Sequence, residues 1–253
     1  MNKPAKSRVR LSFERAAPTY DRAAEVQRRI CDHLLASLPG IAAARVLDAG
    51  CGTGYAVAPL RTRFPTAEIL ALDLSSAMLG QCPPHCTRLA GDLEHLPLAD
   101  AGLDLYWSSL AVQWCDLTAV LREAGRCLQP GGQLAVATLA PGTFAELRHA
   151  FSGIDGHEHT LSFHHADEIL GMARAAGFEA PAIETRHERA FYPDFKTLLK
   201  AVKAVGANQL GEGRRTSLMS RDAFARAEAA YERLRQPAGL PLTYDVVFLL
   251  ARK

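Results

Sequence analysis

Three closely spaced glycines are the feature of this sequence that most clearly serves chemistry. The segment VLDAGCGTG, residues 46–54, places Gly50, Gly52 and Gly54 directly after a short apolar stretch with strand character. Glycine lets the backbone approach a ligand more closely than any other residue. In an open α/β sheet, ligands bind in the crevice at the carboxyl ends of the strands. The spacing therefore predicts a ligand-binding loop at the end of the first strand.

Acidic residues end the next two predicted strands. Asp73 closes the second strand and is followed by Leu74, and Asp92 and Leu93 follow the third. A carboxylate at the first of these positions can accept both ribose hydroxyls of an adenosyl cofactor, and one at the second can meet the exocyclic amine of adenine. The alternative is that both are turn residues, because Asp is common in turns.

The position of the third glycine distinguishes between adenosyl cofactors. A dinucleotide-binding loop needs its third glycine where this chain has Tyr55, whereas the glycine at Gly54 favours S-adenosylmethionine. The predicted cofactor-binding residues are Asp48, Gly50, Cys51, Gly52, Gly54, Asp73, Leu74, Asp92 and Leu93.

Alternating strands and helices must position these residues. Apolar stretches predict strands at residues 45–49, 68–72, 87–90, 103–108, 133–138, 178–191 and 244–251. Helical patterns separate most of them, which implies an α/β fold with a parallel sheet. An amphipathic helix is expected over residues 21–38, and the polar, basic residues 1–10 are expected to form a mobile arm. A Pro-Gly-Gly turn at residues 130–132 is expected to end one helix and start the fifth strand.

We expect one domain over residues 1–253, with an N-terminal helical segment (1–40), a cofactor-binding half (41–140) and a small helical lid inserted at 194–241. Two helical patterns lie in that insertion, where a simple hairpin would need only a turn.

Composition narrows the possible partners. The 253 residues are 48% hydrophobic and carry 29 Lys plus Arg against 27 Asp plus Glu, so no general nucleic-acid footprint is expected. No stretch approaches the ~20 apolar residues of a membrane span, and six scattered cysteines occur without a secretory signal. We therefore expect a cytoplasmic protein with reduced thiols and without a membrane or nucleic-acid partner.

The cofactor half resembles the class I S-adenosylmethionine-dependent methyltransferases. The resemblance rests on the loop at residues 48–54, on Asp73 and Asp92, and on the turn LQPGG at residues 128–132. It implies a Rossmann-like, doubly wound seven-stranded sheet, mostly parallel, whose last strand inserts antiparallel beside residues 178–191.

Further segments give a narrower resemblance. They are FERAAPTYD (13–21), Gln27, LAVQWC (110–115), LLK (198–200), GAN (206–208) and GEGR (211–214). Together they resemble the malonyl-acyl-carrier-protein O-methyltransferase family of biotin biosynthesis. The resemblance implies methylation of the free carboxylate of a malonyl thioester, carried by acyl carrier protein or CoA. Another small-molecule O- or C-methyltransferase, acting on a quinone precursor or a fatty acid, stays an alternative. A non-catalytic cofactor-binding scaffold and a dinucleotide oxidoreductase are further alternatives.

The chemistry expected of that family requires no general base and no metal. A malonyl carboxylate, with a reference pKa of ~3.5 to 4, is ionised at neutral pH and can attack a sulfonium methyl directly. The predicted substrate pocket consists of Tyr20, Gln113, Trp114, Arg148 and Lys203, with Arg148 or Lys203 as the cation that holds the carboxylate. Alternatively, Trp114 belongs to the core and the two basic residues to the solvated surface.

Two groups of possible metal ligands lack a metal-site pattern. Cys82 and Cys86 form an isolated pair, and His157, His159, His164 and His165 come without a carboxylate pattern. No metal is expected at either.

Three lysines share one predicted helical face. Lys196, Lys200 and Lys203 are spaced i, i+4 and i+7, and Arg214 and Arg215 follow in the next loop. They are either a docking surface for an acidic acyl carrier protein or an ordinary solvated face.

Overall fold

Seven apolar segments pair into one mixed sheet in the computed structural model, which describes residues 4–154, 160–204 and 220–253. The strands are β1 (Arg45–Ala49), β2 (Glu68–Asp73), β3 (Thr87–Ala90), β4 (Leu103–Ser109), β5 (Leu128–Leu139), β6 (Glu179–Tyr192) and β7 (Leu240–Arg252). Their order is β3-β2-β1-β4-β5-β7-β6. Strands β1 to β5 are parallel, and β7 is antiparallel to β5 and β6. The predicted α/β, Rossmann-like sheet with an antiparallel last strand is confirmed.

Both faces of the sheet are covered by helices. The described helices are α1 (Lys6–Ala16), α2 (Tyr20–Ala23), α3 (Glu25–Ala36), α4 (Val57–Arg63), α5 (Ser76–Gln81), α6 (Leu117–Cys127), α7 (Ala145–Phe151), α8 (Ala166–Ala175), α9 (Phe195–Ala204) and α10 (Arg221–Glu232). Successive strand residues point to opposite faces, so Val46 joins one hydrophobic core and Leu47 the other. The central strands are consequently mostly apolar, as buried parallel strands usually are.

Side-chain caps define the starts of the helices beside the crevice. The Ser75 hydroxyl accepts a hydrogen bond from Met78 N at 3.3 Å and begins α5. The Asp116 carboxylate accepts from Thr118 N at 2.9 Å and begins α6. These caps place the residues just before each helix at the carboxyl end of the preceding strand.

Several predicted boundaries differ from the structure, among them the start of the last strand, which is expected at residue 244 and lies at Leu240, inside the predicted lid segment. The expected helix over residues 21–38 is broken at Ala24, whose φ of −92° and ψ of 26° are not helical, into α2 and α3. Strand β5 begins five positions earlier than expected, at Leu128, which pairs with Leu103 of β4. The Pro-Gly-Gly turn lies inside this strand because Gly131 N donates to Lys253 O at 2.7 Å and so stays paired with the end of the sheet.

The expectation of a mobile arm over residues 1–10 is wrong for the part that the structure describes. Residues from Lys6 onward form α1, in which Val9 is buried and Phe13 packs edge to face against Trp114, with ring centroids 5.8 Å apart. Val9 and Phe13 are four residues apart and lie on one helical face. The burial of Val9 and the packing of the partly buried Phe13 hold α1 against the protein, although the segment is polar in overall composition.

The predicted lid segment contains α9 and α10. Phe195 and Leu198 of α9 and Tyr231 of α10 are fully buried in the same core as β7. The Tyr231 hydroxyl donates to Pro241 O at 2.7 Å, which fixes α10 to the start of β7. Residues 205–219 lie outside the described ranges, so the lid stays a prediction.

Candidate active site

A deep cleft opens at the carboxyl ends of β1, β2 and β4. It contains about 1040 Å³ of empty space, part of it open to solvent, and its walls come from α1 to α3, the glycine loop and the loops after β2, β3 and β4. This is the edge at which the order of a doubly wound sheet reverses, where such folds bind their ligands. The predicted cofactor loop therefore forms part of the largest cleft that we describe.

The glycine loop is shaped by contacts that only glycine permits. Gly50 has a φ of +77°, and a Cβ there would lie 2.2 Å from the Cβ of Ala111. Gly54 has a φ of +82° and packs against Cys82, where a Cβ would lie 2.9 Å from the thiol sulfur. Gly52 also has a positive φ, +55°, but faces open space. Two glycines thus press the loop against its neighbours, and Gly52 leaves room for a ligand.

Asp73 connects the end of β2 to this loop. One carboxylate oxygen accepts a hydrogen bond from Gly52 N at 2.9 Å, and the other accepts from Ser75 N at 2.8 Å. Desolvation by burial raises the pKa of Asp73, against the opposing effect of these backbone donors. Each oxygen keeps a further lone pair, so the carboxylate can still accept hydroxyl donors from a ligand.

Asp48 is a buried carboxylate in the floor of the cleft. Its side chain is 2% exposed, and its Oδ2 atom has no hydrogen-bond partner within the described ranges. Burial raises the pKa of Asp48 to about 8, with smaller contributions from Cys82 and Asp73. A buried acceptor without a partner is costly, so this site favours a ligand with a positive charge or an N–H donor.

Asp92 lines the cleft from the loop after β3, and its carboxylate is paired with a lysine. The Lys6 ammonium contacts Asp92 and also lies 2.7 Å from Glu94 Oε2. The second oxygen of Asp92 accepts a hydrogen bond from Glu94 N at 3.0 Å. The loop after β3 and helix α1 therefore close this side of the cleft together.

Aromatic side chains also line the cleft. Phe13 lies between Tyr20 and Trp114, with ring centroids 6.3 Å and 5.8 Å away. Desolvation, together with the charges of Asp73 and Asp21, raises the pKa of Tyr20, so its phenol stays protonated at neutral pH. Of the five residues predicted for the substrate pocket, Tyr20 and Trp114 line the cleft.

The other three predicted pocket residues lie elsewhere. Gln113 donates to Leu110 O at 2.7 Å and lines a separate small cavity. Arg148 Nη2 donates to Pro141 O at 2.6 Å, and its Nη1 donates to Thr143 O and to Thr160 Oγ1. Lys203 is exposed on α9. None of the three is among the residues that line the cleft, so their roles stay predictions.

Sequence reasoning missed several lining residues. Lys6, Asp21 and Arg28 are the most informative, because each brings a charge to the cleft. Asp21 accepts a hydrogen bond from the Thr53 hydroxyl at 2.7 Å, which joins the motif at residues 13–21 to the glycine loop. The sequence offered one signal for these residues. Arg28 follows Asp21 by seven positions, so the two would lie on the same face of a continuous helix. The break at Ala24 makes that inference from spacing uncertain in advance of the structure.

Thiols and histidines form no metal cluster in the described part of the chain. No group of three or more His, Cys, Asp or Glu side chains there is arranged to hold a metal ion. Cys51 Sγ lies 3.7 Å from Cys82 Sγ, and His164 lies 3.5 Å from Glu168. His157 and His159 lie outside the described residues. None of the helices searched within those ranges is long and apolar enough to cross a membrane.

Comparisons with known proteins find a matching family model, similar sequences and similar solved structures. Residues 47–136 match the family model described as a methyltransferase domain. The chain is 65% identical over 251 residues to a malonyl-[acyl-carrier protein] O-methyltransferase of Dechloromonas aromatica, covering 99% of this chain and 96% of that one. It is 36% identical to a biotin biosynthesis bifunctional protein of Cellvibrio japonicus, covering 98% of this chain and 50% of that one.

A solved structure supports the fold independently. The YcgJ protein of Bacillus subtilis superimposes with a TM-score of 0.61 at 15% sequence identity, covering 89% of this chain and 98% of that chain. At this identity the likeness concerns the fold alone, whereas the 65% identity over nearly the full length concerns the family. The chain belongs to the malonyl-[acyl-carrier protein] O-methyltransferase family.

Proposed function

We propose that this enzyme transfers a methyl group from S-adenosylmethionine to the free carboxylate of a malonyl thioester, as a step in biotin biosynthesis. The observation that carries the proposal is the 65% identity to a malonyl-[acyl-carrier protein] O-methyltransferase over nearly the whole of both chains. The predicted carrier is acyl carrier protein, with malonyl-CoA as the smaller alternative.

The charges of the cleft fit the proposed cofactor. S-adenosylmethionine carries a sulfonium, an ammonium, two ribose hydroxyls and an exocyclic amine, all of which are cations or hydrogen-bond donors. The lining offers the carboxylates of Asp21, Asp48, Asp73 and Asp92. The partnerless Oδ2 of Asp48 suits a cationic or N–H group, Asp73 suits the ribose, and the open space over Gly52 admits a ligand against the backbone.

The residues of this chain would act mainly by positioning. When bound, S-adenosylmethionine supplies the electrophilic methyl group. The malonyl carboxylate is ionised at neutral pH, given its reference pKa of ~3.5 to 4, and needs no residue to remove a proton. Alignment of two bound reactants can be worth ~7 kcal/mol or more. The aromatic wall of Phe13, Tyr20 and Trp114 keeps water from that side of the cleft, which strengthens electrostatic interactions within it.

Mass spectrometry of the acyl group tests the proposal. Malonyl-acyl carrier protein is incubated with enzyme and S-adenosylmethionine, and we expect one added methyl group on the malonyl moiety. Acetyl-acyl carrier protein, which lacks the free carboxylate, is the matched control and should gain none. Methylmalonyl, succinyl and phenolic acceptors are assayed in parallel. Faster methylation of a phenolic acceptor would favour a quinone precursor as substrate.

Calorimetry separates this function from the remaining alternatives. S-adenosylhomocysteine should bind and NAD should not, because the loop lacks a glycine at Tyr55. Binding of S-adenosylhomocysteine without methyl transfer to any tested acceptor would instead indicate a non-catalytic scaffold.

A further inference from the structure

Positive charge is scarce in the cleft. Among the lining residues that the structure describes, Lys6 and Arg28 are the only Lys or Arg side chains. Lys6 is engaged by the carboxylates of Asp92 and Glu94. Arg28 forms no ion pair with a carboxylate in the described parts of the chain. Of the two basic side chains that line the cleft in the described ranges, Arg28 is therefore the one that remains available to an anionic group of a ligand.

The backbone directs Arg28 into the cleft. Ala24, Gln27, Arg28 and Cys31 are spaced i, i+3, i+4 and i+7 at the start of α3, and all four line the cleft. They form the helical face that looks across the glycine loop. Arg29, one position on, instead pairs with Glu25 and Glu188 on the outer surface.

Local contacts hold the guanidinium but leave most of its donors free for a ligand. Arg28 Nη1 donates to Asp21 O at 2.8 Å, and its Cζ lies 5.9 Å from the centre of the Tyr55 ring. The hydrogen bonds of the described residues thus use one of five N–H donors. A cation–π contact restrains a guanidinium without consuming its N–H donors, so this contact and the hydrogen bond to Asp21 O together hold the group at the cleft before a ligand binds.

We propose that Arg28 binds a carboxylate within the cleft. The planar guanidinium can donate two parallel hydrogen bonds to a carboxylate, which a single ammonium cannot do with the same geometry. The ligands of the proposed function, on which this inference rests, offer two such groups. One is the amino-acid carboxylate of S-adenosylmethionine, and the other is the free carboxylate of the malonyl thioester. Neither Arg148 nor Lys203 lines the cleft to serve either.

Matched ligand pairs test the proposal by binding alone. Calorimetry compares S-adenosylhomocysteine with 5′-methylthioadenosine, which lacks the amino-acid portion. It then compares malonyl-CoA with acetyl-CoA, which lacks the free carboxylate, on protein loaded with S-adenosylhomocysteine. The variants are Arg28→Gln and Arg28→Lys. Arg22→Gln is the control, because Arg22 is exposed, does not line the cleft and undergoes the same chemical change.

We expect Arg28→Gln to lower the affinity for one of the two carboxylate ligands by roughly 10- to 100-fold, the range for a hydrogen bond to a charged group. The affinity for the matched ligand that lacks the carboxylate should be unchanged. Arg28→Lys should recover part of the loss, and Arg22→Gln should show none. A selective loss with S-adenosylhomocysteine assigns the cofactor carboxylate, and a selective loss with malonyl-CoA assigns the substrate carboxylate.

Two results would overturn the proposal. One is unchanged affinity for both carboxylate ligands. The other is an equal loss for both members of a pair, because that would mean that Arg28 only supports Tyr55 and the glycine loop. Failure of the proposed function is distinguishable, since it appears as absent methyl transfer in wild-type protein while the comparison of S-adenosylhomocysteine with 5′-methylthioadenosine still reports on Arg28.

Discussion

The ammonium of Lys6 lies 2.7 Å from the carboxylate of Glu94, so one side chain ties the first helix to the loop after β3. Glu94 is itself fixed, because its Oε1 atom accepts a hydrogen bond from Asp116 N at 2.8 Å. Desolvation acts to lower the pKa of Lys6, but the hydrogen bonds to Asp92 and Glu94 outweigh it and raise that pKa. Lys6 therefore stays charged at neutral pH and holds α1 over the cleft.

We expect Lys6→Ala to loosen α1 selectively. The ion pairs are partly exposed and are worth no more than ~1 kcal/mol, so local opening should become up to roughly fivefold more frequent. Hydrogen exchange over residues 6–16 measures the change, with β1 as internal reference. Ser7→Ala, at an exposed neighbour, is the control. If α1 exchanges equally in both variants, Lys6 is not its anchor.

Asp73→Asn should weaken binding of S-adenosylhomocysteine by ~1.5 to 3 kcal/mol. The amide keeps the size of the side chain but loses charge and one acceptor, and charge-assisted hydrogen bonds are roughly twice as strong as neutral ones. Because Asp73 also accepts from Gly52 N, part of the loss will come from the glycine loop. Calorimetry checks the affinity, and an unchanged value would remove Asp73 from the predicted cofactor site.

The sheet and the glycine loop could be predicted because their signals are local. Strand β1 is a short apolar run, and the positive φ angles of Gly50 and Gly54 occur where the sequence has glycine. Asp73 and Asp92 follow strands whose order is common to doubly wound sheets. Each of these inferences needs only the residue type and its distance along the chain from a strand end.

Which basic side chains line the cleft could not be predicted in the same way. Arg148 has a long side chain whose direction is decided by tertiary contacts, and it turns back to the carbonyls of Pro141 and Thr143. Arg28 has Arg22 and Arg29 close by in sequence, and composition does not tell which of the three faces inward. The choice depends on the break between α2 and α3 at Ala24, which has no strong sequence signal.

Gly50→Ala should destabilise the fold by ~2 kcal/mol or more. The added Cβ would lie 2.2 Å from Ala111 Cβ at a φ of +77°, so steric overlap and backbone strain act together. Gly40→Ala is the control, because nothing lies within 4 Å of a Cβ there and its φ is not positive. Urea denaturation measures both. Equal stability of the two variants would contradict the close packing of the loop on Ala111.

Asp48 should make the stability of the ligand-free protein depend on pH. Its pKa is raised to about 8 in the folded protein, above the ordinary value of an unfolded Asp. Between these two values the folded state binds a proton that the unfolded state does not, so stability falls as pH rises. The stabilising contribution is fully present below the unfolded pKa and is lost once pH passes about 8.

Asp48→Asn should remove this dependence. The stability of the variant relative to wild type is expected to increase from pH 4 to about 8 and then to level off. Thermal denaturation across this range, without cofactor, measures the difference. Asp100→Asn, at an exposed position, is the control and should not reproduce the trend. A difference that is constant with pH would show that Asp48 is ionised throughout.

The exposed lysines of α9 should favour acyl carrier protein over CoA as the malonyl carrier. Lys196, Lys200 and Lys203 are all exposed and, with their i, i+4 and i+7 spacing, share one face of the helix, while Arg214 and Arg215 lie outside the described residues. Charges at the rim of an interface mainly raise the association rate, and salt screens them. The double variant Lys196→Glu/Lys200→Glu should therefore lose roughly 10-fold in kcat/KM for malonyl-acyl carrier protein at low salt.

A matched double variant controls for net charge. Arg122→Glu/Arg174→Glu changes the charge by the same amount at exposed positions of α6 and α8. We expect it to leave kcat/KM for both carriers nearly unchanged, because neither residue lies on α9. The loss in the lysine variant should shrink as salt increases and should be absent with malonyl-CoA. If kcat/KM falls equally for the two carriers, or equally in the two double variants, these lysines form an ordinary solvated surface and not a docking site.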